Sequence, residues 1–154
     1  MNKRIILFYE KNPEKYQLFY LNLEDKLGVE CKICSKAIDI INYIKSNGGN
    51  IALLAIDIVF ADEKTLLNDK FWKAGLILLD RLTQLEISEP DLVKVPKILF
   101  TNPSSELTSF IKKDKRLLQD QRTDKPIIVY KDKTNVDEFT ELVREIIYGV
   151  KLVL

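Results

Sequence analysis

Five residues stand out because each is polar and each directly follows, or lies one place beyond, a short apolar run. Glu10 and Lys11 follow Arg-Ile-Ile-Leu-Phe-Tyr, and Asp57 follows Ile-Ala-Leu-Leu-Ala-Ile. Thr101 follows the run Val95 to Phe100, and Lys131 follows Pro126 to Tyr130. A carboxylate at the end of a buried strand is costly unless something compensates it. Lys131 and Lys11 are the cations available to do so, and Thr101 offers a hydroxyl. The chemistry this set allows is that of a charge-compensated carboxylate without imidazole, because the chain has no histidine. That absence removes Ser-His-Asp and Cys-His nucleophilic machinery, imidazole proton shuttles and histidine metal sites.

Cys31 and Cys34 are the two cysteines, in a C-x-x-C spacing. No second pair and no histidine could complete a zinc site with them. Their surroundings read as a strand, where positions three apart face opposite ways, so they are expected to be core or incidental thiols.

The 154 residues amount to one domain, 1–154, with 46% hydrophobic and 31% charged residues, a globular balance. The formal net charge of +1 gives no global field for a polyanion, so no nucleic-acid partner is expected. No apolar run is long enough to span a bilayer, and the N-terminus enters a strand without a signal-peptide pattern. The expected address is the cytoplasm, with no membrane partner.

Alternating periods define the elements that must carry the five residues. Arg4 to Tyr9 reads as a strand covered on both faces. Asn12-Pro13-Glu14 reads as a helix start, followed by Tyr16, Phe19, Tyr20, Leu23 and Leu27 at helical spacing and Gly28 as a stop. Val29 to Cys34 predicts a second strand, Ser35 a cap, and Ile38, Ile41 and Ile44 a second helix ending at Asn47-Gly48-Gly49-Asn50. Ile51 to Ile56 predicts a third strand. The segment from Ile58 to Lys73 has no clear period and holds an insertion at about 60–73, with Phe71-Trp72 expected to tuck onto the domain. Gly75 to Leu85 predicts a helix, Val95 to Phe100 a fourth strand, a stretch from about Ser105 another helix, and Pro126 to Tyr130 a fifth strand. Lys112 to Arg116 reads as a solvated helix end. Asn135-x-x-Glu138 is a capping-box-like start for a last helix bearing Val136, Phe139, Leu142, Val143, Ile146 and Ile147. Five strands alternating with five helices predict a mostly parallel, doubly wound α/β sheet with helices on both faces. In such sheets the working site lies at the carboxyl ends of the strands, where the five polar residues fall.

At those positions the sequence resembles the receiver (CheY-like) domains of response regulators, over essentially the whole chain. The resemblance is carried by Ile6 to Pro13 (first strand, acidic pair and helix start), Asp57, Ala74 to Leu79, Thr101 and Lys131. It implies a flavodoxin-like five-stranded parallel sheet of order 2-1-3-4-5. It implies a two-component signal-transduction module in a phosphorelay, a phosphoprotein rather than an enzyme, with at most self-phosphorylation and dephosphorylation at Asp57. Asp57 would be the phosphoacceptor, Thr101 the hydroxyl that senses the phosphoryl group, and Lys131 the lysine that contacts it. The partner would be a histidine kinase or phosphotransfer protein, or another signalling protein, with a homodimer as a further arrangement. No cofactor is expected for this chain; the family's Mg2+ would fall to Glu10 and Asp57.

The departures make it an atypical receiver. Lys11 stands where the family has its second acid, so the four charges of the site cancel and Lys11 can replace the metal. Asp62 or Glu63 could fold back to restore a ligand. Asp132 replaces a proline, and Ile128 replaces a residue that is commonly aromatic. A pseudo-receiver working by protein contacts alone is therefore the rival reading. A flavodoxin-like enzyme or cofactor carrier is the third, weakened by the absence of phosphate-cradling glycines from Glu10-Lys11-Asn12-Pro13. No output-domain sequence follows the last helix, so a free-standing module is expected.

Overall fold

The computed structural model describes residues 3–57, 74–92, 94–102 and 114–149. The insertion at about 60–73, with Asp62, Glu63, Phe71 and Trp72, lies outside them, as do the helix expected from Ser105 and residues Lys112 and Lys113. The described strands are β1 (Ile5–Tyr9), β2 (Glu30–Cys34), β3 (Ile51–Ile56), β4 (Lys97–Thr101), β5 (Gln119–Asp120), β6 (Lys125–Pro126) and β7 (Ile128–Tyr130). The described α-helices are α1 (Gln17–Leu27), α2 (Ala37–Asn47), α3 (Ala74–Ser88) and α4 (Val136–Tyr148). Five strands form one parallel sheet in the order β2-β1-β3-β4-β7. This is the expected doubly wound order, with β7 as its fifth strand.

Strand side chains alternate between the faces of a sheet, and here the alternation builds two cores. Leu7, Tyr9, Leu54, Ile56 and Leu99 pack with Ile40 and Ile44 of α2 and with Leu78, Leu79 and Leu82 of α3. Ile6, Phe8, Leu53, Ala55, Ile98 and Phe100 pack with Phe19, Tyr20 and Leu23 of α1 and with Phe139 and Val143 of α4. The second core is aromatic: Phe100 and Phe139 stack at 4.6 Å, and Phe8 meets Tyr20 edge-on at 4.7 Å. A register shift between β1 and β3 pairs Ile5 with Ile51 but Ile6 with Leu53. The slipped residue keeps Tyr9 opposite Ile56, which sets the two strand ends side by side.

Several boundaries differ from the sequence expectation for local reasons. The chain enters α1 through a 3-10 turn, Pro13–Tyr16, because Asn12 makes no side-chain cap there. Ser35 is not the cap of α2. The backbone stays extended through Lys36, which occupies the cap position without a side-chain bond. Pro96 precedes β4 rather than sitting inside it, and Thr101 is the strand's last residue rather than the one after it. Pro126 belongs not to the fifth strand but to a hairpin in which β5 and β6 pair antiparallel. Of the basic run, Lys115 is exposed as expected, and Arg116 pairs with Asp114 and, at the surface, with Asp80 of α3.

Gly28 ends α1 at φ 65, and Gly149 ends α4 at φ 66, the left-handed cap that glycine adopts without steric cost. The cap expected at Asn135 is formed, with its side-chain oxygen accepting from the Glu138 N–H at 2.8 Å. Asn135→Ala is expected to cost about 1 kcal/mol by urea unfolding, with Asn135→Ser or Asn135→Asp close to wild type.

Candidate functional site

Backbone ladders continue past the strand ends and place the polar residues. The Glu10 N–H donates to Cys34 O, the Asp57 N–H to Tyr9 O, and the Lys131 N–H to Thr101 O, at 2.9 to 3.0 Å. Phe8, Ala55 and Val129 all face the α1–α4 core. The period of two therefore carries Glu10, Asp57 and Lys131 to the same side of the sheet rim. Thr101 follows Phe100 by one place, and its short side chain reaches the cluster from the strand end.

The cluster is buried: relative exposure is 2% for Glu10, 6% for Asp57, 0% for Thr101 and 3% for Lys131. The Thr101 hydroxyl donates to Asp57 Oδ1 at 2.7 Å, and the Lys131 ammonium donates to Asp57 Oδ2 at 2.6 Å. Lys131 also forms an ion pair with Glu10 Oε1. The other Glu10 oxygen accepts the backbone N–H groups of Lys11 at 3.0 Å and Asn12 at 3.3 Å. The Asn12 N–H is thus held by the carboxylate, while its side chain makes no cap to the turn that follows.

Four of the five sequence-selected residues thus meet around one buried charge cluster. Lys11 does not join them. Its side chain is exposed, so it does not take a metal's place among the carboxylates, and the ammonium between Glu10 and Asp57 belongs to Lys131. The residues missed by sequence reasoning are the aromatic walls. The Lys131 ammonium lies 4.5 Å from the centre of the Tyr16 ring and 5.6 Å from that of Phe100. Tyr16 had read only as the first apolar position of a helix. Its closeness in sequence to Glu10 was the available signal. A second buried ammonium, Lys97, pairs with Glu86 at 2.8 Å at the opposite end of β4, and its place inside an apolar strand was the clue to it.

Burial raises the pKa of Glu10 above its ordinary value of 4.5, with the Asp57 charge adding to the rise. The Lys131 ammonium and the Asn12 N–H oppose it without cancelling it. Burial also pushes the Cys31 thiol up to about 12, and Cys34 is raised for the same reason. Both are unreactive thiols by this criterion.

The cluster does not fit a preformed Mg2+ site. Magnesium asks for near-octahedral oxygen ligation at about 2.0–2.1 Å. Among the described residues no three acidic, cysteine or histidine side chains gather to hold a metal. Each oxygen of Glu10 and Asp57 already faces a donor within the chain.

No family model matches this sequence, and no curated protein matches it. Solved structures do. Similarity extends to a sensor protein from Polaromonas sp. JS666, with a TM-score of 0.65 and 13% identity over 96% of this chain and 98% of that one. A CheY-like response regulator receiver domain protein from Methanospirillum hungatei JF-1 gives 0.60 and 17% identity over 97% and 96%. The Saccharomyces cerevisiae complex of the histidine phosphotransfer protein Ypd1 with the receiver domain of the response regulator Ssk1 gives 0.62 and 13% over 98% and 93%. The class is thus the flavodoxin-like, doubly wound sheet. Within that class the chain has the receiver fold, along nearly its whole length.

Two predictions follow from the cluster's charges. A carboxyl whose pKa is raised on folding favours the folded state at low pH, and that contribution fades as pH rises from the unfolded value, 4.5, through the folded one. Urea unfolding across that window should show wild type losing stability relative to Glu10→Gln as pH rises; parallel curves would contradict the raised pKa. Lys131→Met leaves two buried carboxylates without their ammonium and is expected to cost about 3–5 kcal/mol at neutral pH. Adding Asp57→Asn should recover part of that loss in a double-mutant cycle.

Proposed function

We propose that this protein is a receiver-type signalling module in which Asp57 accepts a phosphoryl group from a phosphohistidine on a histidine kinase or phosphotransfer protein. The observation that carries this reading is the pairing of Asp57 with the Thr101 hydroxyl and the Lys131 ammonium at the carboxyl rim of a receiver fold. An Asp57 oxygen would attack phosphorus, forming an acyl phosphate as the donor's P–N bond breaks and the leaving imidazole takes up a proton. Thr101 and Lys131 would exchange their bonds to the carboxylate for bonds to the phosphoryl oxygens, neutralising charge where it develops. The same exchange would shift Thr101 at the end of β4 and so alter the surface read by a partner. The likeness to the receiver domain solved with a phosphotransfer protein supports a partner of that class.

A second reading has its own observation. Both Asp57 oxygens and both Glu10 oxygens already have donors within the chain, which favours a pseudo-receiver that works by protein contacts alone. A flavin-phosphate carrier is disfavoured. The Lys11 and Asn12 N–H groups, which would have to cradle a phosphate after β1, are taken by the Glu10 carboxylate.

Incubation with acetyl phosphate or phosphoramidate, followed by intact-mass and peptide mass spectrometry, separates the two readings. Phosphoacceptance predicts a labile single-phosphoryl adduct on Asp57 that is absent from Asp57→Asn and reduced in Thr101→Val. Folded wild type that takes no phosphoryl group, with Asp57→Asn equally well folded, would leave the contact-only reading.

A further inference from the structure

Lys131 is set up as more than a phosphate-contacting side chain. Its ammonium is buried, lies between Glu10 Oε1 and Asp57 Oδ2, and has the Tyr16 ring at 4.5 Å and the Phe100 ring at 5.6 Å. Two carboxylates and two aromatic faces are the surroundings that hold a cation in a desolvated place. The second carboxylate is itself fixed, because two backbone N–H groups anchor Glu10 from the side away from Lys131. A divalent metal bridging Glu10 and Asp57 would need the oxygens that Lys131 holds. It would have to expel an ammonium that is only 3% exposed. Two carboxylates that share one ammonium carry a single net negative charge, a weak attraction for Mg2+ to set against its dehydration.

We infer that Lys131, held by Tyr16, is the resident cation of this site in place of a divalent metal, so that the Glu10–Asp57 pair is complete without one. Tyr16 is a positioning residue here: it acts through the ammonium rather than on any ligand. The inference deepens the reading of the same pocket given above and concerns how its charge is balanced, whichever of the two functions it serves.

The test is a Mg2+ titration of the full chain at constant ionic strength, read by thermal unfolding and by Mn2+ broadening of the amide NMR signals of Glu10, Asp57 and Thr101. Wild type should show no saturable Mg2+ stabilisation up to about 10 mM and no selective broadening. Lys131→Met, whose two carboxylates are left facing each other, should bind Mg2+ at least about tenfold more tightly and rise in melting temperature with the metal. Should that variant fold only when Mg2+ is added, the rescue is the same result. Tyr16→Leu should also gain Mg2+ affinity by loosening the ammonium, while Tyr16→Phe, which keeps the ring face, should match wild type.

Submillimolar Mg2+ binding by wild type at these amides would overturn the inference. So would a Lys131→Met protein that gains nothing, or equal behaviour of the two Tyr16 variants. Adding EDTA to the acetyl phosphate reaction distinguishes the two failures. An Asp57 adduct that forms only with Mg2+ sinks the resident-cation inference and leaves phosphoacceptance standing. No adduct under either condition, with wild type silent to Mg2+, does the reverse.

Discussion

The buried ammonium of Lys131 is the interaction on which the rest of the rim depends. Without it, Glu10 and Asp57 would bring two like charges together in a medium where each is poorly solvated. With it, the ends of β1, β3 and β7 are joined by a charge bridge, and Thr101 adds the end of β4 through its bond to Asp57. Four adjacent parallel strands are thus tied at one edge by side chains as well as by the backbone ladder. The bridge has one irreplaceable member: removing Lys131 leaves two carboxylates unpaired in the interior, whereas removing either carboxylate leaves the ammonium paired with the other.

The fold exists to make that arrangement possible. Each of the two cores is assembled by the period-two alternation of the same strands, and an aromatic layer of Phe8, Tyr20, Phe100 and Phe139 fixes α1 and α4 on one face. That layer ends beneath the ammonium, where Phe100 and Tyr16 serve both the core and the site. A side chain with two such duties couples packing to electrostatics. Repacking between α1 and the sheet would therefore also move the charge centre.

Most of this was legible in the sequence because apolar strands that stop at a polar residue announce both the sheet and its working edge. Ile51 to Ile56 with Asp57 behind it needed only burial arithmetic, and Asn135 with Glu138 needed only cap chemistry. What was not legible came from competition between local groups. Asn12 read as a helix cap, but its side chain makes no cap, its N–H bonds the Glu10 carboxylate, and the chain enters the helix through a 3-10 turn. Lys11 read as a cation for the acids, yet it is exposed and a lysine from a distant strand end pairs with them. Spacing shows which residues reach the rim but not which of two cations will be buried there. The hairpin was also missed, because Pro126 beside Ile-Ile-Val-Tyr looks like a continuous strand until its pairing with Gln119 is known.

That hairpin has a consequence for where the sheet is stiff. The Leu118 N–H donates to Lys97 O and its carbonyl accepts from the Ile127 N–H, so Leu118 wedges between β4 and the chain entering β7. Direct pairing of β4 with β7 is confined to the three rungs from Leu99 to Thr101. Below the wedge opens a cavity of about 970 Å³, lined by Leu118, Ile127, Leu142 and Ile146 among others. The two strands meet like the blades of a half-open pair of shears, clenched at the end that bears Thr101 and Lys131 and parted at the other.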